Sequence, residues 1–250
     1  MWKSDEPDKC SIQAAEVQLT QLTLHGKAYI TMNQIRLLLI LLAALWCGAL
    51  ITARMLISET STYDFLSWNL GLAALPLIIS SLMNRLKVWH AALLFPAWLL
   101  LLPNAPYVLT DLFHLKPKSQ IPLWYDLILL LSCGGLSFFM GLISMRQVHD
   151  IVARTLGAVS GWIMVVFSVF ATGFGIYLGR YLRWNSWDVI TNPLPLFSDI
   201  VTRLLHPARH LEVYGVTFGF GALLILAYAL FFSSAGNASS TSRARGPQSH

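Results

Sequence analysis

The sequence predicts an all-α fold: a polytopic transmembrane helix bundle of about six spans with short interfacial helices. Of 250 residues, 56% are hydrophobic and 12% charged, with a mean hydropathy of +0.60. A soluble domain carries about 25% charged residues, and its core cannot absorb so much apolar surface. Apolar runs also recur at close to the roughly 20 residues that cross a hydrocarbon core of about 30 Å. Finally, the basic residues behind the net charge of +5 sit singly at the ends of those runs. That is a positive-inside pattern, not a clustered basic face, so the expected partner is the lipid bilayer and no nucleic acid.

Residues 1–31 are polar and mixed in charge, without the apolar h-region or cleavage site of a signal peptide. They are expected to be a disordered cytoplasmic N-terminal tail or to precede the true start, with Met32 as a second plausible beginning. A transmembrane helical domain over 32–233 follows, with apolar runs at 37–57, 65–83, 88–102, 122–144, 158–179 and 213–232. The third run is short and meets Pro103, so 103–115 either completes that crossing or folds back at the interface. Pro76 and Pro96 fall inside the second and third runs and predict kinks. Gly157/Gly161, Gly175/Gly179 and Gly215/Gly219 have the spacing that lets helix backbones approach closely. Cys10, Cys47 and Cys133 show no metal or redox spacing, and the last two read as small packed hydrophobes. Residues 234–250, rich in Ser, Gly, Ala and Arg, read as a disordered C-terminal tail. With six spans, ten Lys and Arg fall on the side of the termini and seven on the other. Both termini are therefore expected in the cytoplasm.

Three polar connections fall on the opposite, non-cytoplasmic side. In 102–115, a helix from Pro106 would place Tyr107, Asp111 and His114 on one stripe with Thr110 beside them. Asp111 and His114, three apart, could share a proton or a metal; the alternative is an interfacial helix with a wet polar face. In 121–126, Trp124 and Tyr125 are interface anchors, while Asp126 lies one turn inside the fourth run. A carboxylate at that depth either marks function or rests near the positive end of the helix dipole. The third connection, 179–193, is the densest. Arg180 and Arg183 lie on neighbouring turns and suit bidentate capture of a phosphate or carboxylate, or else snorkel as membrane anchors. Asn185 and Asp188 have the spacing of a capping box. Beyond it, 195–205 alternates as an amphipathic interfacial helix with Asp199 and Arg203 paired.

These segments also carry a resemblance. Leu101-Leu102-Pro103-Asn104-Ala105-Pro106-Tyr107-Val108-Leu109-Thr110-Asp111-Leu112, Pro122-Leu123-Trp124-Tyr125-Asp126 and Gly179-Arg180-Tyr181-Leu182-Arg183-Trp184-Asn185-Ser186-Trp187-Asp188 together resemble an uncharacterised bacterial family. It is the multi-pass membrane domain of unknown function numbered thirteen sixty-one. The similarity covers about residues 35–232 and implies a protein of the bacterial cytoplasmic membrane, with no activity or residue roles to carry over.

The residues themselves suggest a site at the outer leaflet that binds or processes an anionic lipid or lipid-linked phosphate. Asn104, Tyr107, Arg180, Arg183, Asn185 and Asp188 would hold the ligand, and Asp111, His114 and Asp126 would handle protons. No metal is expected, and no cofactor motif is present: the chain lacks a glycine-rich phosphate loop, His-Glu-x-x-His and Gly-x-Ser-x-Gly. The competing classes are a small-solute transporter or channel and a non-catalytic assembly partner. Acids and bases missing from the middle of the runs speak against transport.

Overall fold

A computed structural model of the chain describes residues 9–58, 63–116, 121–206 and 209–243. It is helical throughout: α1 (Lys9–Ser58), α2 (Asp64–Met83), α3 (Val88–Leu101), α4 (Asn104–Tyr107), α5 (Leu123–Leu156), α6 (Ala158–Leu182), α7 (Asp188–Thr191), α8 (Pro193–Leu205) and α9 (Leu211–Arg243). A 3-10 segment, Val108–His114, continues α4, and no strand occurs among the described residues. Six helical stretches are long and apolar enough to cross a membrane: Gln34–Ile57, Asp64–Met83, Val88–His114, Leu123–Leu156, Ala158–Leu182 and Leu211–Phe232. The protein is therefore a multi-pass membrane protein. The third stretch takes in 103–114 together with the short third run.

The chain divides into two units, residues 1–46 and 47–250. In the first, α1 begins at Lys9, so helix runs through the stretch expected to be a tail; residues 1–8 lie outside the described ones. At the other end α9 continues to Arg243, and 244–250 lie outside the described residues.

The second unit is built around α5 and α6, the two most buried spans. Gly157 alone joins them, at φ +94°, a backbone region that residues with a Cβ seldom adopt. Trp98, Leu102, Met145, Val148, Val165, Val169 and Tyr228 form the apolar core. Within it the Ser144 hydroxyl accepts the Trp98 indole N–H at 2.7 Å and donates to the Pro76 carbonyl at 2.8 Å. One hydroxyl thus ties α5 to α2 and α3 and satisfies two groups that lipid cannot.

Glycines decide two of the helix contacts. A Cβ at Gly173 would lie 2.5 Å from the Thr217 carbonyl oxygen of α9, and one at Gly175 2.5 Å from Pro103 Cγ. Gly179 abuts the Tyr107 ring and Gly161 the His149 ring. Gly215 and Gly219 depart from the expected pattern: a Cβ on either meets nothing within 4 Å, so this pair packs against no described residue. The contact of α9 with α6 is made instead through the approach at Gly173 and through Gly221, which lies against the Phe170 ring.

Candidate functional site

The C-terminal end of α1, the start of α2, the 3-10 segment, the start of α5 and the end of α6 gather at one end of the second unit. Side-chain bonds between them define that end.

The 3-10 geometry sets the first cluster. Three residues per turn replace the 3.6 of an α-helix, so Tyr107, Asp111 and His114 no longer share the stripe that an α-helical reading of 106–115 predicts. The Asp111 carboxylate is turned inward and is 1% exposed. Arg180, in the last turn of α6, donates from Nη2 to Asp111 Oδ1 at 2.7 Å. Its Nε donates to the Thr110 hydroxyl at 3.0 Å, and Nη2 reaches the same hydroxyl. Thr110 passes its own proton to the Tyr107 carbonyl at 2.6 Å. Asn69 of α2 donates to Asp111 Oδ2 at 3.1 Å, which occupies both carboxylate oxygens. The guanidinium lies over the Tyr107 ring, with Cζ 4.6 Å from its centroid. This cluster joins the first and third polar segments, as charge economy in a membrane requires. His114 stands apart from the carboxylate: it is exposed, its Nδ1 lies 3.3 Å from the Asp111 backbone carbonyl, and its ring packs against Phe65.

Asp126 belongs to a second cluster. Arg54, near the end of α1, donates from Nε to Asp126 Oδ1 at 2.7 Å and from Nη2 to Oδ2 at 3.4 Å. Both side chains are sealed, 2% and 1% exposed. Asp126 sits in the first turn of α5, where the helix dipole also favours a carboxylate. The Arg54 guanidinium faces the Tyr63 ring at 5.1 Å. The Tyr63 hydroxyl, whose pKa burial and then the Asp126 charge push up against the pull of Arg54, donates to the His114 carbonyl at 3.3 Å. Arg54 is the residue that the sequence reading missed. Its position inside the first apolar run was the available signal, because an arginine there needs an acid.

The third segment folds on itself. Arg183 ends α6 in the left-handed conformation at φ +60° and is exposed. Asp188 accepts the Asn185 backbone N–H at 2.7 Å, the reciprocal half of a capping box, and also binds Thr191 and Asn192. These donors, the Asn185 N–H first, hold its carboxyl below the usual carboxylate range. Trp184 donates to Asp199 of α8 at 2.9 Å, and Asp199 pairs with Arg203 at 3.0 Å. α8 itself leaves Leu194, Phe197 and Leu205 exposed, as a helix lying in an interface does.

Between α2, α3, α4, α6 and this segment opens a cleft of about 460 Å³. Its walls include Trp68, Asn69, Asn104, Tyr107, Asn185 and Trp187, and no lining residue carries a formal charge. Trp68 and Trp187 meet edge to face in its wall, with centroids 6.3 Å apart. Asn104 donates to the Leu101 carbonyl and to Ser186, tying the first segment to the third. Arg180 and Asp111 lie behind the Tyr107 wall, not in the cleft. No group of three or more His, Cys, Asp or Glu able to hold a metal occurs among the described residues.

A family model described as "Protein of unknown function (DUF1361)" matches residues 68–227. It takes in the cleft and the Arg180–Asp111 cluster but begins after Arg54. No curated protein and no solved structure matches the chain.

Proposed function

The chain belongs to the DUF1361 family of proteins of unknown function, and from that premise we propose that it binds an anionic lipid or lipid-linked phosphate in this cleft, at the outer leaflet. The observation that carries the reading is an apolar cleft beside a cation with no counter-charge. Arg54 and Arg180 are each paired to an aspartate. The Arg183 side chain, next to the cleft residue Trp184, makes no salt bridge or hydrogen bond among the described residues. The hydrocarbon of an amphipathic ligand fits the apolar walls, and its phosphate fits the Arg183 guanidinium. Asp111 braces the Tyr107 wall and Asp126 joins α5 to α1, each as the acidic half of an ion pair.

Binding of farnesyl phosphate and of farnesol to the full chain in nanodiscs, followed by native mass spectrometry, tests this. The phosphate is expected to bind about tenfold tighter, a difference of about 1.4 kcal/mol, and Arg183→Gln to remove that preference. Equal affinity for alcohol and phosphate overturns the reading. The orientation rests on the excess of Lys and Arg on the side of the termini. Cysteines placed at Ser119 and Ser239 should react from outside and from inside the cell, respectively.

A further inference from the structure

The cleft holds more polar chemistry than a hydrocarbon chain can use. The Asn69 amide donates to Asp111 and the Asn104 amide to Leu101 and Ser186, which leaves the Oδ1 acceptor of each without a partner among the described residues. The Asn185 side-chain amide donates to Asp188 and likewise keeps its Oδ1 acceptor open, while the Tyr107 hydroxyl and the indole N–H groups of Trp68 and Trp187 bond to no described residue. Donors and acceptors thus both occur on the side chains lining a space with five aromatic residues and no charge. An acyl or prenyl chain suits Leu72, Leu99 and Leu100 but, laid against these polar groups, would strand them unpaired in a desolvated site. A phosphate inside it would lose water without gaining a counter-charge. Hydroxyl groups, each donor and acceptor at once, match the set, and the C–H faces of a pyranose ring lie flat on indole and phenol.

We propose that the cleft receives the uncharged sugar of a lipid-linked sugar phosphate, held against the Trp68–Trp187 pair and Tyr107 and hydrogen-bonded by Asn69, Asn104 and Asn185. This deepens the lipid-phosphate reading and rests on it. The phosphate stays at Arg183, outside the uncharged walls, and the sugar goes in beyond it.

The test compares farnesyl phosphate, glucosyl farnesyl phosphate, hexyl β-glucoside and free glucose on the full chain in nanodiscs, by native mass spectrometry and tryptophan fluorescence. The glucosylated lipid is expected to bind about tenfold tighter than farnesyl phosphate. Trp187→Ala and Asn185→Ala should each weaken the glucosylated lipid several-fold more than they weaken farnesyl phosphate, whereas Trp187→Phe, which keeps a stacking ring, should retain part of the sugar increment. Gly215→Ala, remote from the cleft and in open space, should change neither probe. A sugar increment below about threefold, with farnesyl phosphate still bound, overturns the sugar inference and leaves the lipid-phosphate reading standing. Binding of hexyl β-glucoside without farnesyl phosphate supports the sugar cleft and sinks the phosphate reading. Free glucose binding as well as the hexyl glucoside overturns the lipid-linked source. Loss of both probes in equal measure in Trp187→Ala and Asn185→Ala shows a general wall, not a sugar site, and also overturns it.

Discussion

Arg54 and Arg180 each meet an aspartate at 2.7 Å, and at that distance the two pairs look alike. Their surroundings differ. Arg54–Asp126 is sealed, whereas Arg180 keeps 15% of its side chain exposed and leaves Nη1 without a partner among the described residues. The sealed pair bolts α1 to α5. The second pair braces Tyr107 from behind and so shapes the cleft. An ion pair in a membrane protein is thus not by itself a sign of a ligand site. What separates a bolt from a wall is the empty, partly polar space beside it.

The sharpest way to break the comparison is to cut the sealed pair. Arg54→Ala or Asp126→Ala should cost about 3–5 kcal/mol, because each strands a buried charge, and should lower the melting temperature of the detergent-solubilised protein markedly. The double change Arg54→Met with Asp126→Leu should recover most of that loss. If it does not, the pair does more than join two helices. Gly175→Ala attacks the seam on which the second region rests, since its Cβ would fall 2.5 Å from Pro103. It should cost about 1–3 kcal/mol by overpacking, read in the same melting experiment. Gly215→Ala should stay within about 0.5 kcal/mol of the parent.

Arg180→Lys should destabilise less than Arg54→Ala, by about 1–2 kcal/mol, since the charge beside Asp111 survives. It should nevertheless weaken farnesyl phosphate binding nearly as much as Arg180→Ala. A lysine cannot bond Thr110 and Asp111 together while covering Tyr107. Full binding in Arg180→Lys would reduce the second pair to a copy of the first.

The smallest effect is expected at Asp188, which lies outside both pairs. Its carboxyl titrates below the unfolded value of about 3.9, so its stabilising contribution is complete above that pH and falls away as pH drops through the lower folded value. Melting curves of the parent should therefore slope downward below about pH 4, and those of Asp188→Asn should slope less. Identical slopes would show that the Asn185 N–H contact contributes nothing.

Composition and run length carried the six spans because lipid imposes a uniform demand: every crossing must be long, apolar and helical. That Arg180 or Arg183 would meet Asp111 or Asp126 was legible for a similar reason, since few acids lie near enough to neutralise an arginine at that depth; that Asp126 would go to Arg54 instead was not. The 3-10 winding of Val108–His114 was not legible. Tyr107-Val108-Leu109-Thr110-Asp111 suits either winding, and packing under α2 and α5 decides between them. Asn69 and Trp68 passed unnoticed because a lone amide and an aromatic in an apolar run look like interface residues until a cleft opens beside them. Gly215 and Gly219 show the converse: spacing announced a close contact, yet the helix presents that face to no described neighbour.

The 72 residues between Arg54 and Asp126 also set a clock. At about 5–20 residues per second, the ribosome needs roughly 4 to 14 seconds after making the arginine before its acid exists. During that interval the first span must enter the bilayer with Asp126 still unmade. Arg54 lies a single turn from the end of its helix, close enough to the headgroups for its long side chain to reach water in the meantime. Moved several turns deeper, the same arginine would burden insertion long before its partner arrived. The position that looks like a loose end of a helix is where a deferred ion pair can be carried through synthesis.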